Sequence, residues 1–144
     1  MGFATAWASL RTFIGANWST TAVKYPNVPF AEPAVDPWVA VNMNENTNGG
    51  MISIGPATAK QLYRYYGFLS AQIFTLEDKG QEQALTLADQ WKALFGQGIK
   101  RFTVSADENL DCVKANTIVV GNNNGRFQVN VLIEYQRDQF ITGG

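Results

Sequence analysis

The chain has no histidine, so the commonest general base and metal ligand is missing. Its single cysteine, Cys112, excludes an internal disulfide and, without histidine, a His-activated catalytic thiol. Charge is scarce. Charged residues make up 16% of the sequence, against roughly 25% in ordinary globular domains. The 11 basic and 12 acidic residues are scattered. Lys100–Arg101 is the only adjacent basic pair, so no stripe of the kind that grips nucleic acid is present. No apolar run reaches the ~18 residues that would span a bilayer. The opening "MGFATAWASLRTFIGANW" has no basic leader, and Arg11 interrupts its apolar stretch, so it does not read as a signal peptide. Ala6 breaks the myristoylation pattern that Gly2 would begin. These absences lead us to expect a soluble chain made in a reducing cytoplasm, with no membrane partner.

Catalytic patterns are equally thin. Asp107, Glu108 and Asp111 cluster in "SADENLD", but without calcium-loop spacing or a second acidic group nearby, and a solvated loop is the expectation. Ser53, Ser70 and Ser105 lack a nucleophile-elbow context. Gly49–Gly50 lacks the lysine and the strand-to-helix setting of a phosphate loop. The expectation is therefore no enzyme, no cofactor and no metal.

What the sequence does contain is apolar and aromatic. With 144 residues, 46% hydrophobic and 12% aromatic, it suits one domain with one core. Low charge and many aromatics also suit a surface covered by partners. Phe3, Ala6, Trp7, Leu10, Phe13 and Ile14 recur at helical spacing and predict a helix over residues 3–14, stopped near Gly15. Residues 19–25 are β-prone. Pro26, Pro29, Pro33 and Pro37 then hold the chain extended, before a strand from Trp38 to Met43 with Val39, Val41 and Met43 on one face. Residues 44–58 read as a long Gly-rich hairpin loop with a short strand at Met51–Ile54.

Residues 60–75 predict a long strand. One face carries Tyr63, Tyr65, Leu69, Ala71 and Ile73; the other carries Arg64, Tyr66, Phe68, Ser70, Gln72 and Phe74. Both faces are partly apolar, so the second is covered either within the domain or by a neighbouring subunit. Ala84, Leu87, Ala88, Trp91, Leu94 and Phe95 give a second helix. Asp78 resembles the start of a capping box with Gln81, and Gly96 stands where a left-handed stop is expected. Phe102 and Val104 suggest a short strand. Thr117–Val120 and Arg126–Gln136 form a hairpin across "GNNNG", with Phe127, Val129, Val131, Ile133 and Tyr135 facing the core. Residues 136–144 read as a loose tail. The sum is an α+β domain, an antiparallel or mixed sheet with two helices on one face.

In combination these features resemble the tail terminator-like proteins of long-tailed bacteriophages. The resemblance is carried by Tyr25–Pro26–Asn27, Phe30, Pro33 and Pro37–Trp38 leading into a strand, then by Gly67, Ile73–Phe74, Gly80 and the stretch Ala88–Phe95, within residues 3–136. "TLEDKG" departs from the family pattern in having no proline and one glycine. The resemblance implies a virion protein, made in the bacterial host, whose hexameric ring caps the tail tube, halts its polymerisation and meets a head-side connector. Within that reading, the proline strap and the aromatic second face of the long strand predict a subunit interface through Pro26, Phe30, Pro33, Pro37, Trp38, Tyr66 and Phe68. Asn44, Asn46, Asn48, Gly49 and Gly50 would contact an adjacent ring. Asp107, Glu108 and Asp111 would line a channel through which DNA passes without being bound. Two alternatives stand beside it: another neck part, such as a head–tail adaptor or tail completion protein, and a small-ligand-binding α+β domain.

Overall fold

A computed structural model describes residues 2–45, 50–51 and 60–142. Two helices and seven strands follow one another as α1 Phe3–Asn17, β1 Ala22–Lys24, β2 Trp38–Glu45, β3 Gly50–Met51, β4 Lys60–Leu76, α2 Glu82–Leu94, β5 Arg101–Ser105, β6 Glu108–Asn123 and β7 Arg126–Thr142. The strands form one sheet in the order β1-β2-β4-β7-β6-β5, with β3 beside β4. β1 runs parallel to β2 and the other pairs are antiparallel, so the sheet is mixed and the class is α+β.

The 17-residue strands β4 and β7 form its spine, paired without interruption from Lys60↔Thr142 to Leu76↔Arg126. The period-two pattern decides their orientation. Leu69, Ala71 and Ile73 of β4 and Val129, Val131, Ile133 and Tyr135 of β7 are buried on the core face. Val39, Val41 and Met43 of β2 join them, as the alternation in that strand predicts. Ala6, Leu10 and Ile14 of α1 and Ala84, Leu87, Ala88 and Trp91 of α2 complete the same cluster. Each fully buried Leu or Ile contributes about 1.5–3 kcal/mol. An edge-on contact between Trp18 and Trp91, 5.1 Å between ring centres, links the end of α1 to α2.

Several sequence-based boundaries move. α1 runs through Gly15 to Asn17. Gly15 is exposed there, so its missing side chain costs no packing. α2 starts at Glu82 without a side-chain cap, and Asp78 sits in the preceding turn at φ 62, so no capping box forms. The left-handed stop is present: Gly96 has φ 63. Gly98 in the following turn lies against the β6 backbone at Lys114, where a Cβ would stand 2.7 Å from it. The β6–β7 turn is Asn124–Gly125, with φ 50 and 78, as the Asn-Gly pair predicts.

The largest correction concerns residues 136–144. They are no loose tail through Thr142. β7 continues to that residue, paired with β4 on one side and, as far as Gln139, with β6 on the other. Of the expected loop, Asn44 belongs to β2 and Gly50–Met51 form β3, paired with Tyr63–Arg64. The expected strand Met51–Ile54 is thus seen only at Met51, and its remainder lies outside the described residues. No described helix is long and apolar enough to cross a membrane.

Candidate functional site

The proline segment makes a defined structure on the chain's own sheet. After β1 the chain turns at Asn27, φ 56, with the Val28 N–H donating to the Tyr25 carbonyl at 3.3 Å. Tyr25 meets Trp7 edge-on, and the Arg11 guanidinium lies 4.9 Å from its ring centre. Phe30 then packs on Trp38 at 5.3 Å, and Trp38 stacks on Phe74 at 4.2 Å with 20° between ring planes. Trp38 pairs with Phe74 across β2–β4, which places both on the sheet face opposite the core. The strap therefore covers one end of that face. Arg126, at the start of β7, fixes it by donating to the carbonyls of Pro33, Ala34 and Asp36.

This placement divides the residues assigned to a subunit interface. Trp38 is already buried and Phe30, Pro33 and Pro37 are half-buried, all within their own chain. Pro26 is exposed, and so are Tyr66 at 52% and Phe68 at 42%. On the same face, β7 brings half-buried Leu132 opposite Ser70, and β6 brings exposed Ile118 opposite Asn130. The second face of β4 is thus covered by its own strap at Phe74 and uncovered at Tyr66 and Phe68.

The acidic cluster is dispersed rather than solvated together. Glu108 is wholly buried and cannot line a channel. Asp111 accepts two hydrogen bonds from Arg101, at 2.6 and 3.0 Å, and half-buried Asp107 accepts the Phe140 N–H on its carbonyl. Asp107 and Asp111 are both half-buried.

A polar network that the sequence did not announce surrounds Glu108. The Arg137 guanidinium donates to both carboxylate oxygens of Glu45, at 2.8 and 2.7 Å, and to Glu108 at 2.5 Å. It also donates to Gln139 at 3.0 Å and lies 4.3 Å from the Tyr65 ring centre. Tyr135 donates its hydroxyl to Glu45 at 3.2 Å, and the Gly2 N–H donates to Glu108 at 3.3 Å. Burial works against the Arg137 charge, but its hydrogen bonds to Glu45 and Glu108 hold its pKa above the usual arginine value. The signal was available: Arg137 continues the core-face series Ile133, Tyr135 in β7. The network ties together β2, β6 and β7. It offers two carboxylates locked on one guanidinium.

Gly67 stands beside this network. A Cβ there would collide with the Asn44 carbonyl and sit 2.5 Å from the Tyr135 hydroxyl. Cys112 is buried, and burial pushes its thiol up to about 12. Among the described residues no group of three His, Cys, Asp or Glu is placed to hold a metal ion. The concave features are surface clefts. One of about 630 Å³ lies between the strap and β2, with Lys24, Asn27, Asn42 and Gln72 among its lining. Another, about 250 Å³, lies between the start of α1 and β2 and is lined by Phe3, Ala4, Trp7, Pro26, Asn42 and Met43.

No family model matches the chain, and no curated protein matches it. A solved structure shares its fold, with a TM-score of 0.63 at 15% identity, covering 93% of this chain and 91% of the other. At this identity the likeness shows the fold alone.

Proposed function

We propose that this chain is a tail-terminator-like virion subunit. In this reading its two helices lie on one face of the sheet. Its ring caps a phage tail tube, stops polymerisation and joins the tail to a head-side connector. The observation that carries the proposal is the convergence of the first group of residues behind the resemblance, joined by Phe74 from the second. Tyr25–Asn27, Phe30, Pro33, Pro37–Trp38 and Phe74 are spread over fifty positions of sequence, yet they build one unit, the strap and the aromatic stack beneath it. A pattern that assembles into one feature is better explained by a shared structure than by chance composition.

The exposed Tyr66 and Phe68 support the same reading. Aromatic side chains at the centre of an interface carry a disproportionate share of association energy, and these two lie on a strand whose core face is already filled. Asp107 and Asp111 remain the lumen candidates. A near-neutral chain without a basic stripe suits a channel that lets DNA slide.

The test is to add the purified protein to polymerising tail-tube protein and measure tube lengths by electron microscopy. Shorter tubes with a ring at one end are expected. Unchanged lengths at saturating protein would exclude the terminator role.

A further inference from the structure

The buried network around Arg137 carries more negative charge than positive. Glu45 and Glu108 share the one guanidinium, and their side chains are 10% and 0% exposed against 4% for Arg137. Among the described residues no second cation forms an ion pair with either carboxylate; Arg64 is held by Asp138 and Arg101 by Asp111. A charge left uncompensated in such a place is costly, because the water that would solvate it is excluded. Arg137 takes one oxygen of Glu108. The other oxygen faces the Gly2 nitrogen at 3.3 Å.

α1 fixes that nitrogen in place. The Ala6 N–H donates to the Gly2 carbonyl at 3.0 Å and so closes the first helical turn on Gly2. Gly2 is half-buried, and its φ of 117 is a conformation that glycine adopts readily. The first turn of α1 has no acidic residue, and no side chain caps it. The helix itself therefore gives a cation at Gly2 no partner, and its dipole opposes one. Glu108, reaching over from β6, supplies the negative charge that the helix lacks.

We infer that the Met1–Gly2 bond is a processing site: the mature chain begins at Gly2, and its α-ammonium is the second cation of this network. A methionine-specific aminopeptidase removes Met1, a cut that a small second residue such as Gly2 permits. Water hydrolyses the bond. Its hydroxyl joins the methionine carbonyl carbon and its hydrogen goes to the Gly2 nitrogen. The new carboxylic acid then gives up its proton, and the amine takes one from solvent. Glu45 and Glu108 are thereby set against Arg137 and Gly2, one cation for each carboxylate. A peptide nitrogen makes the same hydrogen bond to Glu108 without the charge, so the two states differ electrostatically. The cut thus fastens the start of α1 to β6 and, through Arg137, to β2 and β7. It stands whether or not the chain caps a tail tube.

The test begins with the intact mass of the chain expressed from Met1, which is expected to be short of one methionine and to carry no acyl group. That chain is then compared with one bearing a Gly-Ser extension before Gly2, which keeps the N–H and removes the charge. Urea unfolding at about pH 6 is expected to give the free-amine form a folding constant about tenfold larger, or 1.4 kcal/mol. An ordinary α-amine titrates at about 7.7–8.0, and one paired with Glu108 titrates above that. Its contribution is whole below about pH 7 and is lost as pH rises through the folded value, so the gap is expected to close by about pH 10. Asp107, Glu108, Glu45, Tyr65, Tyr135 and Arg137 surround the nitrogen in both forms, so their own titrations cancel. Glu108→Gln is expected to abolish the gap at every pH. Should that variant not fold, an NMR titration of the wild-type Gly2 amine decides instead, and an ordinary value overturns the inference. Met1 retained, equal stability at pH 6, or a gap that persists to pH 10 or survives Glu108→Gln overturns it as well.

Discussion

Glu108 and Asp111 lie three positions apart, yet their surroundings make them unequal. Glu108 is wholly buried against Arg137; Glu108→Gln would replace a charge-assisted hydrogen bond with a neutral one while Glu45 keeps Arg137 paired, at a cost of about 1–3 kcal/mol. Asp111 pairs with Arg101, whose side chain is 64% exposed, and pairs of that kind contribute roughly 0–1 kcal/mol. Glu108→Gln is therefore expected to lower the thermal transition strongly and Asp111→Asn hardly at all, as read by calorimetry. Gly67→Ala belongs with the severe changes. Overpacking of this kind costs about 1–3 kcal/mol, and here the obstacles are the Asn44 backbone and the Tyr135 ring. Cys112 gives a pH effect of definite sign. Burial pushes its thiol up to about 12 in the folded chain, against an ordinary 9.0 when unfolded. Unfolding thus releases a proton between those values, and this contribution is whole below 9 and lost as pH rises towards 12. Native protein at pH 8 should resist thiol alkylation and become reactive only in denaturant; rapid native labelling would contradict the buried placement.

At the scale of elements, the strap's stability comes from two places far apart in sequence. Arg126→Ala removes its hydrogen bonds to Pro33, Ala34 and Asp36, while the Phe30–Trp38–Phe74 stack stays. Residues 31–36 should then exchange amide hydrogens faster and be cut sooner by proteases, with the core protected as before. Phe30→Ala should act on the free subunit as well as on any assembly, because Phe30 packs on Trp38 of its own chain. Both helices and the strand parities of β2, β4 and β7 were legible in the sequence, because apolar spacing registers burial directly. The continuation of β7 was not. "YQRDQF" reads as solvent-loving, and only pairing partners elsewhere, Glu45 and Glu108 for Arg137 and Arg64 for Asp138, make those residues buried. The strap was legible as extended chain, but its destination depends on Arg126, about ninety positions away from the carbonyls it binds.

The spine of the sheet also sets the order in which the molecule can form. β4 and β7 are neighbours over their whole length, yet the chain makes β4 early and β7 last of the described strands. On a ribosome, β4 has no partner on that side until the final strand emerges, and Ile73 and Leu69 have no Val129 or Ile133 to close upon. Pairings this remote in sequence delay folding into the millisecond-to-second range. A nascent chain therefore passes through an interval with its longest strand uncovered, so folding yield should fall with chain concentration and recover when a holdase is present.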